Sequence, residues 1–220
     1  MDLGGSRGRK KQLQKIKDMN KTKVTTLFLD IGGVLLTNGW GREQRENAII
    51  EFNLDKDETD DRNALMWDTY ESDKFTLDEY LDFVVFHQPR SFTREEFTTY
   101  MMAQSQPLDG AVEYFKQLKK EFGFKVVALS NEARELNQYR IKQFKLDELF
   151  DFYISSCYVG LRKPDPAIYK LAIDTAQVKP EEVVYVDDRL TYIEMARKLN
   201  IPSLHYKDID SAREYFKNIK

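Results

Sequence analysis

A chain of 220 residues has room for one sizeable hydrophobic core, or a core with a small inserted module, and its 41% hydrophobic and 32% charged residues suit a soluble globular protein. A formal net charge of -3 offers no bulk attraction to nucleic acid or to an anionic membrane. Apolar runs such as "VVAL" and "FVVF" fall far short of the ~20 residues that cross a bilayer, and the single Cys157 can form no internal disulfide. The opening residues lack the charged, apolar and small-residue zones of a secretory leader. The expected setting is therefore cytoplasmic, with neither nucleic acid nor membrane as partner.

Residues 1–22 include "GGSRGRKKQLQKIKDMNKT", basic and poor in large apolar side chains, and are expected to be a mobile lead-in outside any core. Met19 stands five residues ahead of the first strand-like run, where a native start would fit. That run covers residues 24–29, ends on Asp30 and is followed almost at once by two glycines in "FLDIGGVLL". Between about 39 and 106 come four helical patterns, "REQRENAIIEF", "DDRNALMWDTY", "TLDEYLDFVVFH" and "TREEFTTYMMAQ", with no credible strand between them. Thr76 with Glu79 and Thr93 with Glu96 have the spacing of N-terminal capping boxes. An all-helical module over 39–106 is the expectation.

Downstream, Val112, Phe115 and Leu118 fall at helical spacing ahead of a second strand. Strand-like runs at 125–129, 152–155, 183–186 and 203–206 then alternate with "EARELNQYRIKQF", "DPAIYKLAIDTA" and "TYIEMARKLN". Such alternation predicts an α/β fold, a doubly wound parallel sheet with covered faces, assembled from residues 23–38 and 107–220. In such a sheet functional groups gather where the strands end.

Asp30 ends the first strand; Ser130 and Asn131 end the second in "VVALSNEA"; Lys163 follows the third in "GLRKPDPAIY"; Asp187 and Asp188 end the fourth in "VVYVDDRL". Each group alone is compatible with a helix cap or a turn. Their joint occurrence at successive strand ends is much harder to explain that way. As a set, over residues 24–206, they resemble the four motifs of the haloacid dehalogenase (HAD) superfamily of hydrolases, and the helical module resembles that family's cap between motifs one and two. Motif one departs from the family's Asp-x-Asp-Gly, because here it runs Asp30, Ile31, Gly32, Gly33.

The resemblance implies that Asp30 is a nucleophile forming an aspartyl-phosphate. It also implies Mg²⁺ held by Asp30, the main-chain carbonyl of Gly32 and Asp188, with Asp187 nearby or acting through water, an oxygen-rich shell of the kind magnesium prefers. Ser130 would donate to the phosphoryl oxygens, with the backbone of Ile31, Gly32, Gly33 and Asn131 around them, and Lys163 would neutralise charge as a point cation. Glycine at 32 keeps the carbonyl but lacks the family's usual acid and base, commonly worth 10²–10⁴-fold in rate. Three explanations stay open: a substrate with a good leaving group, such as an acyl phosphate or a sugar 1-phosphate; a proton handled by a cap side chain or water; or a chain without turnover. The superfamily includes phosphatase-like subgroups with glycine here, so a Mg²⁺-dependent phosphatase of a small phosphorylated metabolite, with a sugar phosphate as first guess, is the expectation. The alternatives are a metal-independent 2-haloacid dehalogenase, against which the acid pair Asp187-Asp188 speaks because it calls for a cation beside Asp30, and a non-catalytic HAD-like binding protein.

Other residues carry weaker signals. His87 and His205 have no second His or Cys at ligand spacing, and Cys157 is expected to be a small buried group. Trp67, Tyr70 and Phe86 are expected in the core of the helical module. Trp40 and Arg42, close behind the first strand, are better placed for a substrate entrance, although a surface loop is the first expectation for both.

Overall fold

The computed structural model describes residues 23–217 and Ile219; the expected basic lead-in and Met19 lie outside the described residues. Among these, strands β1 (Thr26–Leu29), β2 (Lys125–Ser130), β3 (Phe152–Ser155), β4 (Val183–Asp187) and β5 (Ser203–His205) form one sheet in the order β3-β2-β1-β4-β5. Every neighbouring pair is parallel, so each connection is a crossover. Helices α1 (Arg42–Glu51), α2 (Lys56–Glu71), α3 (Leu77–Val84) and α4 (Arg94–Ala103) lie between β1 and α5 (Ala111–Phe122). The rest of the chain adds α6 (Arg134–Gln143), the one-turn α7 (Ser156–Val159), α8 (Pro166–Ala176), α9 (Leu190–Lys198) and α10 (Ile209–Phe216). None of the described helices is long and apolar enough to cross a membrane.

Side chains alternate across a strand, and β1 shows the consequence. Leu27 and Leu29 join Val126, Ala128, Val184 and Val186 in one core layer, with Phe115 of α5 and Phe216 of α10. Phe28 points the other way, into a layer with Val127, Leu129, Tyr185 and residues of α8 and α9. Both faces are covered, which is why the strands are near-continuous apolar runs. β1 begins at Thr26, β4 extends to Asp187 and β5 stops at His205, small departures from the sequence expectation. The short α7 and two 3₁₀ turns at Leu146–Glu148 and Pro180–Glu182 are too brief to leave a period in the sequence.

The helices α1–α4 have a core of their own. Trp40, Tyr70, Tyr80, Leu81, Phe97 and Met101 pack there with Ala133 and Leu136, at the start of α6, and Tyr70 stacks on Tyr80 at 4.6 Å. The capping boxes at Thr76 and Thr93 are both formed. Trp40 is only 3% exposed and donates to Tyr80 Oη at 3.1 Å. The surface-loop expectation therefore fails for Trp40: its indole packs edge-on against Phe97, and burial of so large a ring outweighs its loop position. For Arg42 only the surface part holds: the residue is exposed and paired with Glu46, but it opens helix α1 and is not in a loop.

Polar contacts join this insert to the sheet. Arg134 Nη2 donates to Asp73 Oδ2 (2.6 Å), Ser156 Oγ donates to the Glu71 carbonyl (2.8 Å), and Glu135 accepts from Leu77 N (2.9 Å) and Tyr70 Oη (3.2 Å). Phe28, fully buried on the central strand, tests the layer arrangement. Phe28→Ala is expected to lower unfolding free energy by about 3–5 kcal/mol, read as a lower urea midpoint with an unchanged slope.

Candidate active site

The register places Leu29 of β1 level with Ala128 of β2 and Val186 of β4. Asp30, Ser130 and Asp187 consequently leave the sheet at the same carboxyl edge. Asp30 is 7% exposed, and its oxygens are fixed separately. Oδ1 accepts from Ile31 N at 2.8 Å and from Ser130 Oγ at 2.6 Å, while Oδ2 lies 3.0 Å from Lys163 Nζ. Such a carboxylate is held to one orientation.

Lys163 is almost wholly buried, and its ammonium is shared between Asp30 and Asp187, the latter at 2.7 Å. Burial works against the cation, but Asp187 and Asp30 outweigh it, and its pKa stands above the ordinary lysine value. Asn131 fixes the backbone there by a two-point contact: its Nδ2 donates to the Lys163 carbonyl (3.0 Å) and its Oδ1 accepts from Lys163 N (2.8 Å). The side chain of Asn131 is thus committed to the loop, while its own main-chain N–H has no partner among the described residues.

The two acids of "VDD" differ. Asp187 is wholly buried and its oxygens are occupied, Oδ2 by Lys163 and the Tyr185 hydroxyl and Oδ1 by Arg189 N at 2.7 Å. Asp188 has a buried Oδ1 without a partner, and burial, followed by the nearby Asp30 charge, pushes its pKa up. His205 Nε2–H donates to the Asp188 carbonyl at 2.9 Å, so this histidine secures the loop. Gly33 makes room for Asp188: at φ +74° an added Cβ would fall 2.3 Å from Asp188 Oδ2. One carboxylate oxygen from each of Asp30, Asp187 and Asp188 lies within 4.8 Å of the others. Among the described residues the Gly32 carbonyl accepts no hydrogen bond. An orphaned carboxylate oxygen, a free carbonyl and clustered acids make an all-oxygen donor set suited to a hard divalent cation.

Asp30, Ser130 and Lys163 floor a cavity of about 350 Å³, walled by Trp40, Arg45 and Trp67 of the insert and by Glu132, Arg140, Arg189 and Tyr192 of the sheet domain, while Asp187 and Asp188 lie outside its lining. Gly32, Asn131 and Arg42 also line it. Tyr70 and Phe86 belong to the insert core, His87 sits 3.0 Å from Glu58, and Cys157 is buried beside Asn137. The sequence reading did not pick out Glu132 or Arg140, which form a buried ion pair, or Glu71, which accepts from Arg162 Nε at 2.8 Å. Glu132 had a signal, since it directly follows Ser130-Asn131 at the strand exit. Arg140 had none, because it sits within an unremarkable helical pattern.

Residues 24–200 match the family model described as haloacid dehalogenase-like hydrolase. The chain belongs to the haloacid dehalogenase-like hydrolase family. Bifunctional epoxide hydrolase 2 of Sus scrofa is 41% identical over 99 residues, 43% of this chain and 18% of that protein. Glyceraldehyde 3-phosphate phosphatase of Pyrococcus furiosus is 35% identical over 82 residues, 37% of this chain and 33% of that one. The chain thus spans a third or less of the length of these curated relatives. A HAD family enzyme of Bacteroides thetaiotaomicron shares the fold with a TM-score of 0.75 at 20% identity, covering 88% of this chain and 98% of that one; it has also been solved with magnesium and inorganic phosphate.

Within this HAD-like fold, Gly33→Ala should lower stability by about 1–2 kcal/mol for the left-handed backbone, with a further loss from the clash with Asp188. Gly160→Ala is the control, since Gly160 has φ +66° but nothing within 4 Å of an added Cβ. Urea unfolding of the two variants should show the larger drop for Gly33→Ala.

Proposed function

We propose that the chain is a Mg²⁺-dependent phosphatase that removes phosphate from a small phosphorylated metabolite through an aspartyl-phosphate on Asp30. The observation that carries this reading is the juxtaposition of a fixed Asp30 carboxylate with Asp188, whose buried oxygen has no partner. Two carboxylates so close are unfavourable unless a cation sits between them. Asp30, the Gly32 carbonyl and Asp188 would hold Mg²⁺, whose charge offsets the repulsion between a carboxylate nucleophile and a phosphate ester.

The protein's own groups account for the remaining work. Asp30 attacks phosphorus and the ester P–O bond breaks; water then attacks the same phosphorus, releasing phosphate and restoring Asp30. Lys163, Ser130 and the main-chain N–H of Asn131 would hold the phosphoryl oxygens, with the backbone of Ile31, Gly32 and Gly33 alongside. Asp187 acts through Lys163, keeping it charged and aimed, and is not itself a direct ligand in this reading. The helical insert over 39–106 serves as a cap on the sheet domain formed by 23–38 and 107–220, and Trp40 and Trp67 close the substrate space and exclude water. A cavity of about 350 Å³ favours a compact substrate such as a sugar phosphate over a phosphoprotein. The phosphatase activity named for the Pyrococcus relative and the magnesium and phosphate bound by the Bacteroides enzyme support the same reading.

A second reading is metal-independent 2-haloacid dehalogenation, because (S)-2-haloacid dehalogenase 4A of Burkholderia cepacia is 40% identical over 76 residues. One assay set separates the readings. The wild type is expected to release p-nitrophenol from p-nitrophenyl phosphate with Mg²⁺ and not with EDTA, and Asp30→Asn to abolish release while retaining the fold. Asp188→Ala should raise the Mg²⁺ concentration for half-maximal rate by roughly 10-fold or more. Full activity in Asp30→Asn would overturn the nucleophile assignment. Halide release from 2-chloropropionate without metal would favour the dehalogenase, and no turnover of either kind a binding protein.

A further inference from the structure

The direction in which a side chain would leave position 32 is already occupied. A Cβ added to Gly32 would lie 3.2 Å from Asn38 Oδ1 and 3.8 Å from Arg140 Nη1. Arg140 is held there by Glu132, whose Oε1 accepts from Nη1. Exposure is 1% for Arg140 and 4% for Glu132. A buried ion pair is a poor source of net stability, because desolvation of both charges consumes most of the attraction. This one stands on the wall of the candidate active site.

Glu132 also reaches towards the nucleophile. Its Oε1 lies 3.5 Å from Ser130 Oγ, which donates to Asp30 Oδ1 at 2.6 Å. One hydroxyl thus separates the two carboxyl groups. Both contacts of Glu132 fall on Oε1, and among the described residues Oε2 has no hydrogen-bond partner. Glu132 and Gly32 line the same cavity.

We propose that Glu132 performs the proton transfers that Gly32 cannot, supplying from the exit of β2 the carboxyl that motif one lacks. The inference rests on the phosphatase reading above. As Asp30 attacks phosphorus and the ester P–O bond breaks, the electron pair of that bond goes to the leaving oxygen, which takes the proton of Glu132. The Glu132 carboxylate then removes a proton from the water that attacks the aspartyl-phosphate. The P–O bond to Asp30 breaks, phosphate leaves, and both carboxyl groups return to their starting states.

The charges around Glu132 suit this cycle. Burial is the largest influence and raises its pKa to about 7; Arg140 opposes the shift, Asp30 and Glu71 add to it, and Lys163 opposes it again. The Cys157 thiol, itself pushed up to about 12 by burial, also faces this group. A carboxyl that titrates near neutrality can both give and accept a proton. The acid form is needed for the first step, so hydrolysis of esters with poor leaving groups should decline as pH rises through about 7.

The test compares p-nitrophenyl phosphate, which leaves without help, with glycerol 1-phosphate, which needs a proton. In Glu132→Gln, turnover of glycerol 1-phosphate should fall roughly 10²–10⁴-fold and lose its alkaline limb, while the first-turnover burst of p-nitrophenol should fall less than about 10-fold and be followed by slow steady state. Glu132→Asp, which keeps the acid on a shorter arm, should retain the limb, and it serves if the glutamine variant does not fold. Equal losses on both esters with the limb intact would overturn the role of Glu132 and leave the phosphatase reading standing. An inactive wild type on both esters would overturn that reading, and Glu132 with it.

Discussion

The buried ammonium of Lys163 between Asp30 and Asp187 is the interaction on which the site depends. A cation removed from water is costly, and only close anions offset that cost; here two carboxylates do so, at 3.0 and 2.7 Å. The arrangement constrains all three side chains, because losing either acid would leave Lys163 under-compensated in a dry place. Asp187 needs its further donors, the Tyr185 hydroxyl and Arg189 N, for the same reason. Asp30 is thereby held rigidly beside the cavity.

A second buried pair, Arg140 with Glu132, lies on the wall of the same cavity. Arg140 also donates through Nη2 to the Thr37 carbonyl, on the segment that leads from β1 towards α1. Arg162 reaches Glu71 on α2, and Arg134 reaches Asp73 just beyond it. Arg162 and Arg134 thus tie the sheet domain to the insert, and Arg140 ties Glu132 to the segment that leaves β1. The same cavity wall therefore joins the two parts, so the placement of Trp40 and Trp67 over the floor is coupled to ion pairs beneath them.

Much of the fold was legible because its signals are local. Strands buried on both faces are plain apolar runs, helices carry a 3.6-residue period, and the boxes at Thr76 and Thr93 need only a spacing of three residues. The strand-end groups Asp30, Ser130, Lys163, Asp187 and Asp188 could be listed in order because a parallel sheet sends every strand end to one edge. Trp40 was misjudged for the opposite reason. Its burial depends on Tyr80 and Phe97, tens of residues away, and no local pattern announces such partners.

The sequence by itself determined the α/β alternation, the helical interval after the first strand, and the set of motifs that marks the family, since each is written in residue type and spacing along the chain. Only the tertiary structure decided how the acids divide their work, with Asp187 saturated by Lys163, Tyr185 and Arg189 and Asp188 left with an open oxygen over Gly33. It also decided that Asn38 and Arg140 occupy the space beside Gly32, with Glu132 paired to Arg140. Which charge faces which depends on distance and burial between strands and helices far apart in the chain, and electrostatic energies follow those quantities and not the order of residues.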